Sequence, residues 1–185
     1  LIAMLLTAFV YFYRWQRRKR RHLERSVRID PLTGAFTRGA FEAEMPRLVK
    51  TATQNRERFM LCYVDVDKLK QVNDTFGHLH GDTYLKEVVE ALRASIRSSD
   101  DIYRIGGDEF VLIFPGCGQA EMSRIWDLVD GRIAAINREG RLPYAMGITH
   151  GCVAFDPDAP QDLATLLRQA DLSMYTQKGA ASGRN

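Results

Sequence analysis

Apolar positions along the chain fall into distinct periods. Residues 1–13 (LIAMLLTAFVYFY) carry no charge, and Asp30-Pro31-Leu32-Thr33-Gly34 then breaks any helix. Phe41, Met45, Leu48, Val49 and Ala52 recur at helical spacing. Phe59–Val66 (FMLCYVDV) predicts a buried strand that ends in acids. Val72 and Phe76 predict a short helix closed by Gly77. Asp82 stands where it would cap the next helix, whose stripe is Leu85, Val88, Val89, Leu92 and Ile96. Ile102–Ile105 and Phe110–Phe114 flank Gly106-Gly107-Asp108-Glu109, the pattern of a hairpin. A helix near Met122–Ile136, a strand region over Tyr144–Phe155 and a last helix near Leu163–Tyr175 complete the set. No internal repeat appears. Strands and helices intermixed around one hairpin predict a single α+β or α/β domain.

Composition narrows this picture. With 185 residues, 45% hydrophobic and 26% charged, the chain is long enough for one domain with a sizeable core and too hydrophobic for disorder. The formal net charge of +3 is unevenly placed. Residues 14–28 hold eight Lys or Arg against Glu24, so residues 29–185 keep 18 basic and 22 acidic side chains, a net of −4. A domain that tracks nucleic-acid phosphates carries its positive charge on the folded body, so no nucleic-acid partner is expected. The apolar start ends in Tyr11, Tyr13 and Trp15, and the basic run follows at once, the order of a transmembrane helix leaving on its cytoplasmic side. The chain begins at Leu1, so residues 1–15 read as the truncated end of a membrane span and 16–28 as a basic juxtamembrane stalk, with the domain over 29–185. Cys62, Cys117 and Cys152 are scattered and odd in number, which argues for a reducing compartment, against zinc, and for three small buried apolar residues. His22, His80 and His150 show no ligand spacing.

Two acidic sites carry the candidate chemistry. In Val64-Asp65-Val66-Asp67, strand alternation sends both acids to one face. The second site is the Gly106-Gly107-Asp108-Glu109 turn, whose glycines permit close approach by a ligand. If the hairpin pairs beside the Phe59–Val66 strand, Asp65 converges with Asp108 or Glu109. Hard oxygens without Cys or His ligands suit magnesium, and magnesium with few protein ligands implies a polyphosphate. The residues alone also fit a solvated turn next to a strand-end acid.

Arg104-Ile105-Gly106-Gly107-Asp108-Glu109-Phe110 resembles the signature of the GGDEF family of diguanylate cyclases. The same order and spacing hold for Asp30-x-Leu32-Thr33-Gly34 and for Asp65-Val66-Asp67-x-x-Lys70-x-x-Asn73-Asp74-x-x-Gly77-His78-x-x-Gly81-Asp82. Ala170-Asp171-x-x-Met174-Tyr175-x-x-Lys178 and Gly183-Arg184-Asn185 are similar to its closing motif. The resemblance implies a palm-like α+β domain, akin to nucleotidyl cyclases, with a central, mainly antiparallel sheet flanked by helices. It implies a homodimer that joins two GTP into cyclic di-GMP with release of two pyrophosphates. Together with the apolar start and the basic run after it, the expected place is the bacterial inner membrane, with the catalytic domain in the cytoplasm.

Residue by residue, it implies that Asp65, the Val66 carbonyl and Asp108 hold Mg²⁺, or Mn²⁺ in its place. Asp108 or Glu109 helps deprotonate the attacking hydroxyl, with Asp108 ranked first. The Asp67-Lys68-Leu69 turn and Lys70 cradle phosphates, Gly107 admits the substrate, and Lys178 adds a charge at the terminal phosphates. Asn73 and Asp82 read guanine, the carboxylate accepting from N1 and N2. His78 lies between them and either touches substrate or stabilises its turn. Arg97-Ser98-Ser99-Asp100 matches the family's RxxD product-inhibition site, with Arg124 or Arg132 as second basic group; alternatively it is a surface ion pair at a helix end. The sequence departs from the family at Leu69, where Phe is usual, at Ala35-Phe36-Thr37 and at Thr149-His150-Gly151. Arg184 lies six residues after Lys178 instead of four, which puts Arg184 in doubt as a phosphate ligand. The competing readings are a non-catalytic GGDEF-fold receptor that binds GTP or cyclic di-GMP to regulate a partner, and a palm-like polymerase or nuclease.

Overall fold

The computed structural model describes residues 28–182. The expected membrane segment over 1–15, the stalk up to residue 27, His22 and Arg184 lie outside the described residues. No described helix is long and apolar enough to cross a membrane.

The elements run β1 (Phe36–Thr37), α1 (Arg38–Asn55), β2 (Phe59–Val66), α2 (Leu69–Phe76), α3 (His78–Arg93), β3 (Asp101–Arg104), β4 (Glu109–Pro115), α4 (Gln119–Glu139), β5 (Ile148–Phe155) and α5 (Leu163–Ser182). The sheet order is β1-β3-β4-β2-β5, with β1–β3 parallel and every other pair antiparallel. This is the mainly antiparallel α+β sheet that the sequence resemblance implies.

Strand alternation divides the core into two layers. Met60, Cys62, Val64 and Val66 of β2 face Val72 of α2, the stripe of α3 and Trp126, Val129 and Ile133 of α4. Phe59 and Leu61 face the other way, with Phe41 and Met45 of α1 and Leu166 and Ala170 of α5. β2 is therefore covered on both faces, which explains its unbroken apolar run.

Three local features differ from the periodicity reading. β1 has two residues and pairs through Phe36↔Tyr103, too short a strand to leave a period. β5 starts at Ile148 instead of Tyr144. Asp82 does not cap a helix: Gly77, at φ 87°, closes α2 and opens α3, and Asp82 lies inside α3.

The cysteine expectation needs correction. Cys62 and Cys152 face each other in the β2–β5 register and are joined as a disulfide, leaving Cys117 as a buried thiol. They are 90 residues apart in sequence, so spacing could not reveal a cross-strand neighbour. The argument for a reducing compartment loses its basis with them.

His150 remains structural. Its ring stacks on Trp126 with centroids 3.7 Å apart and planes within 8°, while Trp126 Nε1 donates to Cys152 Sγ at 3.2 Å. Burial pushes His150 down from 6.5 to about 4. The unfolded chain therefore binds this proton first, and stability is lost as pH falls from about 6.5 towards 4. His150→Phe, which keeps an aromatic ring on Trp126, is expected to flatten that part of the melting temperature against pH curve. An unchanged curve in His150→Phe would remove His150 as its source.

Candidate active site

β2 and β4 lie side by side in the register Asp65↔Glu109, and the Val66 N–H donates to the Asp108 carbonyl at 3.0 Å. The convergence conditional on that pairing is therefore present. The Ile105 and Gly106 amides both donate to the Glu109 carbonyl, at 3.0 and 3.2 Å, and draw the turn tight. A Cβ on Gly106 would lie 2.2 Å from Glu109 Oε2, so a side chain at this position of the turn would push the Glu109 carboxylate out of its place.

Each acid of the turn has a different setting. Glu109 Oε1 accepts the Tyr63 hydroxyl at 3.0 Å. Burial, then the Glu109 charge, pushes the Tyr63 phenol well above its usual range, so it stays a donor. Asp65 Oδ1 pairs with Lys178 Nζ at 2.7 Å, bringing together a residue expected on metal and one expected on phosphate. The Asp108 side chain is half-buried and makes no hydrogen bond or ion pair among the described residues.

The described residues contain no group of three or more His, Cys, Asp or Glu side chains poised around a metal. Asp65, Asp108 and the Val66 carbonyl still fit magnesium by donor chemistry. All are hard oxygens, and Mg²⁺ takes one or two carboxylates and completes its shell with water and phosphate.

The loop after β2 alters one expectation. Asp67 lies beyond the strand, and its N–H donates to the Gly147 carbonyl at 3.0 Å while Oδ1 accepts the Thr149 hydroxyl at 2.8 Å. That amide is taken up by the Gly147 carbonyl and is not open to phosphate. The Tyr84 hydroxyl braces the same junction, 3.0 Å from the Asp67 carbonyl and 2.8 Å from that of Gly147, and accepts the Gly147 N–H at 2.6 Å. Burial pushes Tyr84 up to about 12. Lys68 follows in the left-handed region, φ 57°, an uncommon conformation for a residue with a side chain. The amides of Leu69 and Lys70 then open the first turn of α2, where helix N–H groups lack intrahelical partners. The Lys68 and Lys70 side chains are exposed; that of Leu69 is buried.

Asn73 of α2 and Asp82 of α3 are both half-buried on the two helices joined at Gly77, and His78 is exposed beside that joint. Gly107 is exposed at the tip of the hairpin.

Sequence reading missed the tie between the start of the domain and the hairpin. Arg104 donates to Asp30 Oδ2 at 3.1 Å and to the Gly107 carbonyl at 2.7 Å. Asp30 Oδ2 also accepts the Thr33 N–H at 2.9 Å and its hydroxyl at 2.7 Å. Burial raises Asp30, but the Thr33 bonds and the Arg104 guanidinium outweigh it and hold the carboxyl below its usual value. Tyr63, inside the apolar strand, and Tyr84, just before the stripe of its helix, carry no motif in the sequence; a phenol next to apolar positions is the one available signal, since a buried hydroxyl needs a partner.

Arg97 and Asp100 lie away from these acids. The Arg97 guanidinium donates to Glu121 at 2.7 Å, and Asp100 Oδ2 accepts the Arg97 backbone N–H at 2.8 Å. Both line a cleft of about 510 Å³ with Arg93, Ile96 and Phe36; Arg124 and Arg132 are not among its lining residues.

Residues 27–185 match the family model described as diguanylate cyclase, GGDEF domain. The diguanylate cyclase TpbB of Pseudomonas aeruginosa is 35% identical over 156 residues, which make up 83% of this chain and 36% of TpbB. The chain thus spans about a third of that relative. The solved GGDEF domain of TpbB superposes with a TM-score of 0.72 at 31% identity, covering 82% of this chain and 89% of the other. A microbial GGDEF domain solved with cyclic di-GMP gives a TM-score of 0.69 at 30% identity, covering 85% of this chain and 94% of the other.

Proposed function

The chain belongs to the GGDEF family, and from that premise we propose that it is a diguanylate cyclase, joining two GTP into cyclic di-GMP with release of two pyrophosphates. The observation that carries this reading is the β2–β4 register, which sets Asp65 opposite Glu109 and bonds Val66 to Asp108. Magnesium or manganese on Asp65, the Val66 carbonyl and Asp108 supplies charge neutralisation for the triphosphate and the departing pyrophosphate.

The amides of Leu69 and Lys70 and the Lys68 and Lys70 ammonium groups bind phosphate oxygens. Lys178, paired with Asp65, turns its charge to the terminal phosphates when nucleotide arrives. Asp108 takes the proton of the 3′-hydroxyl, with Glu109, oriented by Tyr63, as the alternative base. Asp82 accepts from guanine N1 and N2 and Asn73 completes the base contact; adenine would leave the carboxylate unpaired, which discriminates against it. His78 borders that pocket.

Each domain holds one GTP, so the reaction needs a homodimer with two sites face to face. Residues 1–15 would anchor the protein in the inner membrane, with the domain in the cytoplasm.

Incubating the protein with GTP and Mg²⁺ and resolving products by chromatography tests this reading. Cyclic di-GMP with the linear pppGpG intermediate is expected, at a specific activity that rises with protein concentration. Flat specific activity across the dilution series would count against obligate pairing. GTP unchanged at every concentration would overturn catalysis in favour of a GTP or cyclic di-GMP receptor.

Product inhibition is part of the same proposal. The cleft beside Arg97 and Asp100 can take a guanine base, the arginine fork donating to O6 and N7 and the aspartate accepting from N1 and N2. The product must first displace Glu121 from Arg97. Arg97→Ala is expected to keep cyclase activity and lose inhibition by added cyclic di-GMP; identical inhibition curves for mutant and wild type would make the site structural.

A further inference from the structure

Gly81 is buried in α3, three residues after that helix begins, and its φ lies outside the left-handed region. Alanine could adopt the same backbone and would favour the helix more. The glycine therefore needs a spatial reason.

That reason is a single neighbour. A Cβ built on Gly81 would lie 2.0 Å from Asn73 Oδ1, 2.9 Å from its Cγ and 3.3 Å from its Nδ2, and these are its three nearest atoms. The approach follows from the chain path. Gly77, at φ 87°, reverses α2 into α3, with Asn73 four residues before it and Gly81 four residues after. The Gly77 N–H donates to the Asn73 carbonyl at 2.9 Å, and the Gly81 N–H reaches the Gly77 carbonyl at 3.4 Å. The Asn73 carboxamide thus lies directly on the Gly81 backbone, one residue from Asp82. It makes no side-chain hydrogen bond among the described residues, so its amide and oxygen remain available to a base edge.

We propose that Gly81 is a positioning residue for purine selection: its missing side chain seats the Asn73 carboxamide beside Asp82. This rests on the reading of Asn73 and Asp82 as the guanine contacts. A methyl group at 81 would displace the flexible end of Asn73 and no backbone, so the fold survives and base recognition does not. The ligand class is a 6-oxo-2-aminopurine nucleotide, against its 6-amino counterpart.

Calorimetric binding of 3′-deoxy-GTP and 3′-deoxy-ATP with Mg²⁺ reads this without turnover, because both lack the attacking hydroxyl. Four proteins are compared: wild type, Gly81→Ala, Asn73→Ala and the double variant. Gly81→Ala is expected to weaken 3′-deoxy-GTP about tenfold and leave 3′-deoxy-ATP unchanged. Asn73→Ala should give a similar loss, and the double variant should bind no more weakly than Asn73→Ala alone. Thermal melting of Gly81→Ala should stay at or above wild type.

The failures separate. If Asn73→Ala weakens the guanine nucleotide and Gly81→Ala does not, the positioning role is overturned and the guanine reading stands. If Asn73→Ala itself leaves 3′-deoxy-GTP affinity intact, the guanine reading fails. Equal weakening of both nucleotides by Gly81→Ala, additive losses in the double variant, or a low melting temperature that Asn73→Ala does not relieve would each make Gly81 merely structural and overturn the proposal.

Discussion

Asp108→Asn is expected to lower cyclic di-GMP formation by at least about a hundredfold while the protein melts as wild type does, since losing one preorganised charge at a developing transition state costs on that order. The substitution changes one atom and almost no volume. The structural role of this residue runs through its backbone, whose carbonyl accepts the Val66 N–H at 3.0 Å and is untouched by the change. Its side chain makes no bond among the described residues, so no native interaction there is lost. What disappears is a negative charge beside the end of β2, where it would hold a divalent cation or accept the hydroxyl proton. Turnover with GTP and Mg²⁺, read beside a thermal melt, separates the two effects. A folded Asp108→Asn protein with full activity would remove Asp108 from both roles.

Glu109 provides an instructive contrast. Its carboxylate is held by Tyr63 and presses on Gly106, so Glu109→Gln alters an existing hydrogen bond as well as a charge. Any loss in that variant mixes hairpin geometry with chemistry.

The parts of the fold visible in the sequence are those governed by local period. Phe59–Val66 is β2 to the residue, because a strand buried on both faces is apolar along most of its length, with acids only at its end. α5 begins at Leu163 as its stripe predicts. The hairpin was visible because two glycines separate two apolar runs. Features that failed to show depend on pairing between distant segments. Asp67 looked like part of a phosphate loop, but its amide pairs with Gly147, 80 residues away. The Cys62–Cys152 link and the Arg104–Asp30 tie belong to the same class. The candidate site lies between these cases: motif spacing located Asp65, Asp108 and Glu109, while only register shows that β2 and β4 bring them together. Asp82 shows the limit of local reading in the other direction. An aspartate near a helix start suggests a cap, yet Gly77 had already turned the chain and begun the helix.

Lys178 reaches Asp65 because α5 lies against the backbone of β5, and Gly151 is where the approach is closest. A Cβ at Gly151 would stand 2.2 Å from both the Ala170 carbonyl oxygen and the Met174 amide nitrogen, and 2.8 Å from Met174 Cα. These are backbone atoms inside a helix, so none can yield alone; α5 must shift as a unit. Ala170 and Met174 are buried, and Lys178 follows Met174 by about one turn, so the shift also carries the ammonium away from Asp65 Oδ1. Gly151→Ala is therefore expected to destabilise the domain by about 1–3 kcal/mol, the usual range for overpacking a filled interior. Cyclase activity should fall further than the lost folded fraction explains, because the surviving molecules hold Lys178 out of place. Gly131→Ala is the control: Gly131 is exposed in α4 with nothing within 4 Å of its Cβ position, so the change should be neutral or stabilise by up to about 1 kcal/mol. Paired thermal melts and GTP assays of the two variants decide the matter. A Gly151→Ala protein as stable and active as wild type would mean that α5 can move off β5 at no cost and that its seating does not position Lys178.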